Sequence, residues 1–267
     1  MELLLITNQY PYNFGDVAFI KPEILFLSKA FEKVHVITTS NLSHPEKTEL
    51  PPNVQASFIP HDSQYNNSKR IKSIFFSTLQ PLWIMSIFFK ELGFLINQKK
   101  INTKTLKNSI FFLLDANIDA IFLNKYLENN PKIEIVYTYW FERKTLSALI
   151  NKKRMGRRIL CVTRAHGYDL YEFRNENNYQ PYKKWMDRYV DRVFFISIAG
   201  YNYYLKKFAK SHIDKYVIAR LGIENPYSWP IFYDSKHIEE RTKNHLNIIS
   251  CSNIIPVKRI HLIIEAL

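Results

Sequence analysis

Apolar and polar positions along the chain fall into two alternating periods. Glu2 to Thr7 is an almost unbroken apolar run, the pattern of a strand covered on both faces. The loop Asn8 to Asp16 follows, and then Ile20, Ile24, Leu27, Phe31 and Val34 recur at helical spacing. Val34 to Thr39 is β-branched and predicts a second strand, and Val54 to Ile59 a third. A long helical zone runs from Lys69 to about Asn129, broken between Gln98 and Asn102. Strands are predicted again at Ile133 to Thr138, Ile159 to Thr163, Arg192 to Ser197, Tyr216 to Arg220 and Leu246 to Ser250, with helices between them, the first a basic one over Glu142 to Met155. Such alternation predicts an α/β fold: a doubly wound, Rossmann-like parallel sheet.

The pattern also divides the chain. Residues 1–222 carry the regular alternation. Residues 223–245 are polar, contain Pro226 and Pro230 and lack periodicity, which is linker composition. Residues 246–267 read as one strand, a turn and an apolar helix start without a stop signal. One such unit cannot bury its own apolar faces, so it is expected to open a second, incomplete α/β domain of a truncated chain. No internal repeat is evident.

Composition narrows the function classes. Lys plus Arg number 37 against 24 Asp plus Glu, a net charge of +13, which favours an anionic partner. The two cysteines lie far apart in apolar runs, so neither a disulfide framework nor a zinc ribbon is expected. No helix-turn-helix, zinc-finger or RNP pattern supports a nucleic-acid partner. The first apolar run is too short for a signal peptide and has Glu2 where a basic flank belongs. The uncharged stretch from Ser73 to Phe89 is slightly short of the roughly 20 apolar residues of a spanning helix. Two readings of it stand side by side. Basic flanks (Lys69, Arg70, Lys72, Lys90, Lys99, Lys100) suit a helix lying in a membrane interface, and Pro81 suits a long core helix kinked there.

Signatures of dinucleotide enzymes, P-loop NTPases, α/β hydrolases and zinc peptidases are absent. The informative segment is Thr163-Arg164-Ala165-His166-Gly167-Tyr168-Asp169-Leu170-Tyr171-Glu172, which begins where a predicted parallel strand ends. Ligands of open α/β sheets sit outside the carboxyl ends of the strands. Arg suits phosphate, His and Asp suit sugar hydroxyls, and a glycine lets the backbone come close. A solvated polar loop with one satisfied histidine is the plain alternative.

At this segment the chain resembles family 4 glycosyltransferases of bacterial surface-polysaccharide clusters. The opening LLITNQYPYNFGDVAFIKPEILFLSKAFEKVHVIT is similar to their first strand, loop and helix, with Phe19, Glu23 and Ile24 at matching places. VYTYWF (Val136 to Phe141), ARLGIENP (Ala219 to Pro226) and the tail NIISCSNIIPVKRIHLIIEAL match in order as well. The resemblance implies a GT-B fold, with an acceptor-side N-terminal domain and a donor-side C-terminal domain. It implies transfer with retention from a nucleotide-sugar to a lipid-linked or saccharide acceptor, with no metal and no other cofactor. His166 and Asp169 are the implied catalytic residues, and Gly15, Asn253 and Lys258 the donor-phosphate residues. Arg164, Tyr168 and Glu172 are expected at the acceptor. The family's Gly-Arg pair is replaced by Ser252-Asn253, which removes one phosphate cation, and its paired glutamates fall beyond Leu267. A cytoplasmic location, peripheral at the anionic inner face of the plasma membrane, follows from the same resemblance and from the charge. With most of the donor side missing, the truncated chain alone is expected to have little or no transferase turnover; the alternative is a non-catalytic remnant that binds a lipid-linked sugar or a partner subunit.

Overall fold

The computed structural model describes residues 1–12, 15–38, 47–58, 65–75, 80–155, 158–209, 213–222, 234–243, 245, 248–250 and 258–266. Seven parallel strands form one sheet: β1 (Glu2–Thr7), β2 (Lys33–Thr38), β3 (Val54–Phe58), β4 (Ile133–Thr138), β5 (Leu160–Ala165), β6 (Arg192–Phe195) and β7 (Tyr216–Ile218), in the order β3-β2-β1-β4-β5-β6-β7. The expected doubly wound parallel α/β sheet is therefore present. The chain winds from β1 outward to β3, returns, and winds from β4 outward to β7. The direction reverses between β1 and β4, so their carboxyl ends define the switch point of the sheet.

The unbroken apolar runs fill both faces. Leu3 and Leu5 of β1 pack with Tyr10 and with Ile20 and Ile24 of α1 (Val17–Ala30). Leu4 and Ile6 point the other way, into a cluster with Leu113, Ala116 and Ala120 of α4 (Thr103–Asn129) and Leu146 and Leu149 of α5 (Arg143–Met155). β4 keeps step through a bulge opposite Glu2 and Leu3. The bulge sends Ile133 and Val136 to the α4 side, and Ile135 and Tyr137 to the α1 side.

The long helical zone is three helices: α2 (Asn67–Ile74), α3 (Gln80–Asn97) and α4. Pro81 is the second residue of α3, and residues 76–79 before that helix lie outside the described residues, as does a kink expected there. Among the described residues no helix is long and apolar enough to cross a membrane. α4 carries a buried polar knot. Asp119 accepts from Lys144 at 2.8 Å, from Arg143 at 3.1 Å and from the Tyr65 hydroxyl, while Asp115 pairs with Arg70 at 2.7 Å. These bonds fix α2 and α5 against α4.

After β5 come α6 (Lys183–Tyr189) and α7 (Ile198–Lys207). Met1–Ile223 form one compact unit and Glu224–Leu267 a second, in which α8 (Ser235–Thr242) and α9 (His261–Glu265) are described. Of the strand expected over Leu246 to Ser250, residues 248–250 have no strand pairing and the first two lie outside the described residues.

Candidate functional site

Three loops meet at the carboxyl ends of β1, β4 and β5. The first, residues 8–16, is organised by Asp16, a buried carboxylate. It accepts the backbone N–H of Tyr10 at 2.8 Å and of Asn8 at 3.1 Å, and the indole N–H of Trp140 at 3.3 Å. Gly15 has φ +60, and a Cβ there would fall on the Gln9 side chain, so only glycine closes this turn without strain. Together with Asn8, Gln9, Phe19 and Trp140 these residues line a cavity of about 270 Å³ in front of the amino end of α1. Free N–H groups at a helix start favour an anion there.

Trp140 and Tyr139 follow β4 and form an aromatic wall. Against it lies His166, the first residue after β5, with ring centroids 4.2 Å from Trp140 and 5.1 Å from Tyr139. His166 is only 6% exposed, and neither ring nitrogen has a hydrogen-bond partner among the described residues. The nearest carboxylate oxygen, on Asp169, is 3.7 Å from Nδ1. Leaving a buried polar atom unpaired costs about 1–3 kcal/mol, so His166 is a site that calls for a partner, water or ligand. His35 is the contrast. It is equally buried in β2, but bonds Glu2 at 2.8 Å through Nε2 and Tyr126 at 2.9 Å through Nδ1. The satisfied core histidine exists in this chain at His35, and not at His166.

Asp169 reaches no open space. One oxygen accepts the His166 N–H at 2.6 Å and the other the Phe141 N–H at 2.7 Å. It therefore ties the loop after β5 to the loop after β4 and fixes His166 against its wall. Below it, the ammonium of Lys183 donates to the Phe141 carbonyl and sits 4.0 Å from the Phe141 ring centre. Burial pushes this amine down to about 8, against the pull of Asp169 and Glu142. Glu142 accepts from the Asn8 side chain at 3.2 Å, and its carboxyl is raised by burial and by the neighbouring Asp169. A buried hydroxyl cluster of Thr138, Thr145 and Thr163 ties the ends of β4 and β5 to α5 beneath the site.

The other expected site residues fall in different surroundings. Arg164 is buried, and its guanidinium donates to the Tyr137 hydroxyl at 2.7 Å, the Ala219 carbonyl at 2.8 Å and Glu23 at 2.9 Å. Glu172 pairs with Lys100 at 2.7 Å and Lys207 at 3.0 Å, and its buried Oε1 has no partner among the described residues. Tyr168 is 61% exposed on the rim, its carbonyl held by Gln180 and Asn175. Lys258 is exposed in the unit of residues 224–267, and Asn253 lies outside the described residues. Gly15 and His166 thus approach the same wall, Trp140, with Asp169 behind and Tyr168 outside. Sequence reasoning missed Trp140, Asp16, Glu142 and Lys183 as members of this site. An aromatic pair directly after a buried strand was the available signal for Trp140. Among the described residues no three His, Cys, Asp or Glu side chains converge to hold a metal ion.

No protein-family model matches the chain, and no curated protein matches it. Among solved structures it is similar to a UDP-N-acetylglucosamine 2-epimerase from Rickettsia bellii, at 11% identity over 83% of this chain and 45% of that one, with a TM-score of 0.45. It is similar also to a UDP-GlcNAc 2-epimerase from Methanocaldococcus jannaschii, at 14% identity over 82% of this chain and 45% of that one, with a TM-score of 0.44. A third is the trehalose-6-phosphate structure from E. coli bound with UDP-2-fluoro glucose: 14% identity over 77% of this chain and 42% of that one, with a TM-score of 0.43. The chain spans less than half the length of each of these structures.

Proposed function

We propose that this chain is the acceptor-side part of a retaining, GT-B glycosyltransferase. It would use a nucleotide-sugar donor and a lipid-linked or saccharide acceptor in bacterial surface-polysaccharide synthesis, at the cytoplasmic face of an anionic membrane. The observation that carries the reading is His166, buried against an aromatic wall at the switch point with both ring nitrogens unpaired. The resemblance of the segment around it to family 4 enzymes supports the same assignment.

Cleaving the bond between a sugar and a diphosphate builds positive charge on the sugar ring and negative charge on the departing phosphates. In this reading the His166 imidazole bonds a hydroxyl of the sugar and, with the π faces of Trp140 and Tyr139, steadies the positive ring. The N–H groups at the start of α1, opened by Gly15, attract the phosphates, and Lys258 with Asn253 belongs to the donor side. Asp169 and Lys183 act by holding the two loops. Tyr168 stands where an acceptor saccharide meets the rim.

Incubating the full-length form of the protein, with its donor-side domain, with a panel of labelled nucleotide-sugars and bacterial lipid extract tests the reading. Transfer of label into the organic phase or onto an added saccharide is the expected result. Label that stays in the nucleotide-sugar across the whole panel contradicts it.

A further inference from the structure

His166 is closed off in this structure. Both its ring nitrogens are buried and without a partner among the described residues, and so is the hydroxyl of Tyr139, whose ring centre lies 5.1 Å away. These polar atoms of two neighbouring rings thus meet neither the chain's own bonds nor solvent. Tyr139 is fully buried, and its N–H bonds the Ile6 carbonyl at 2.9 Å, so it belongs to the sheet. Trp140 differs. It is partly exposed, and its ring centre lies closer to His166, at 4.2 Å.

The backbone of Trp140 is fixed. Its carbonyl accepts the Glu142 N–H at 2.9 Å and the Thr145 hydroxyl at 3.0 Å. Motion is left to the side chain, whose one polar tie among the described residues runs from the indole N–H to Asp16 at 3.3 Å. That is beyond the usual range of about 2.7–3.2 Å for such a bond. Asp16 does not depend on it, since it also accepts the Tyr10 N–H at 2.8 Å and the Asn8 N–H at 3.1 Å. Trp140 also lines the cavity of about 270 Å³ in front of α1, which gives a turning ring somewhere to go.

Two positions of the indole are balanced by opposite gains. Against His166 the ring keeps its aromatic contact and leaves the imidazole nitrogens unpaired. Turned into the cavity it gives up that contact, its N–H goes to water, and the imidazole is free to be bonded. Whatever bonds His166 then shifts the population toward the open position.

We propose that Trp140 is a gate over His166, latched by Asp16, and that a ligand reaches the imidazole only when the indole turns into the cavity in front of α1. The proposal deepens the reading of His166 as a ligand-contacting residue and rests on it. Its test reads access to the ring and not turnover, so failure of the gate and failure of sugar transfer are told apart.

The test is carbethoxylation by diethyl pyrocarbonate, followed for each histidine by mass spectrometry of peptide digests. His261, exposed on α9, gives the rate of an open ring, and the buried His35 that of a core ring. In the wild type His166 should react at least about tenfold more slowly than His261, because the minor state of a two-position element is populated at about 0.1–10%. Trp140→Ala should raise the His166 rate at least about tenfold, by removing the closed state, while His35 stays protected. Trp140→Phe keeps a ring over His166 but has no N–H for Asp16, and its rate should fall between those of the wild type and Trp140→Ala. Wild-type His166 reacting as fast as His261 overturns the proposal, and so does an unchanged His166 rate in Trp140→Ala. A Trp140→Phe rate equal to that of the wild type overturns it too, and this variant decides alone if His35 becomes reactive together with His166 in Trp140→Ala.

Discussion

His166 and His35 are buried to similar degrees, and the difference in their partners fixes opposite expectations. His35→Ala removes bonds to Glu2 and Tyr126 and orphans a strand-centre site; a loss of about 2–3 kcal/mol is expected in chemical denaturation. His166→Ala removes no hydrogen bond of its side chain and only part of a stacking contact, so its melting temperature should stay near that of the wild type. A drop comparable to that of His35→Ala would make His166 a core residue after all. Asp169 behaves as a positioning residue. Asp169→Ala leaves two backbone N–H groups buried without acceptors, and a destabilisation of about 2–4 kcal/mol is expected in the same measurement. That His166, Gly15 and the carboxylate at 169 lie just beyond strand ends was legible in the sequence, because the apolar runs before them mark the strands. Their partners were not. The Phe141 N–H lies 28 residues from Asp169, and Trp140 lies 124 residues from the Asp16 that holds its indole; no local pattern encodes such distances.

At the scale of elements, the strands were legible because burial on both faces forces continuous apolar runs, and β1, β4 and β5 show them. The apolar stretch before Phe89 was ambiguous because core, interface and helix start share one composition. Contacts show both characters: Ile84, Ile87 and Leu95 of α3 are buried while Leu82, Met85 and Phe89 are exposed. The same helix holds a pH-sensitive group. Burial pushes the Glu91 carboxyl up to about 7, against the Tyr179 and Tyr182 bonds that pull it down. A carboxyl raised in the folded state contributes stability that is full below its unfolded pKa and is lost as pH rises through the folded one. Between pH about 4.5 and about 7 that loss is on the order of 3 kcal/mol. Glu91→Gln should flatten this part of the stability profile measured by urea denaturation. An unchanged slope in the variant would mean that Glu91 is not the titrating group.

The whole molecule carries a net charge of +13. Glu91, Asp115, Asp119, Asp169, Glu172 and Asp187 are buried, where they serve internal bonds, while most lysines lie outside. Association with phosphatidylglycerol vesicles that weakens with salt is expected in cosedimentation, since screening shortens the reach of exposed charge. Equal binding to phosphatidylcholine vesicles would remove charge as the cause. The seven-stranded sheet sets the place of the candidate site, because its winding reverses between β1 and β4 and the loops with Gly15, Trp140 and His166 meet there. The claim that this cleft is a sugar-transfer centre is tested most directly by sugar-transfer turnover of His166→Ala beside wild type, both in the full-length form, with melting temperatures recorded on the same samples. A fall of roughly 100-fold or more, the scale of one preorganised contact, at unchanged melting temperature is the result expected. Turnover within a few-fold of wild type, or loss of turnover that tracks unfolding, would contradict it.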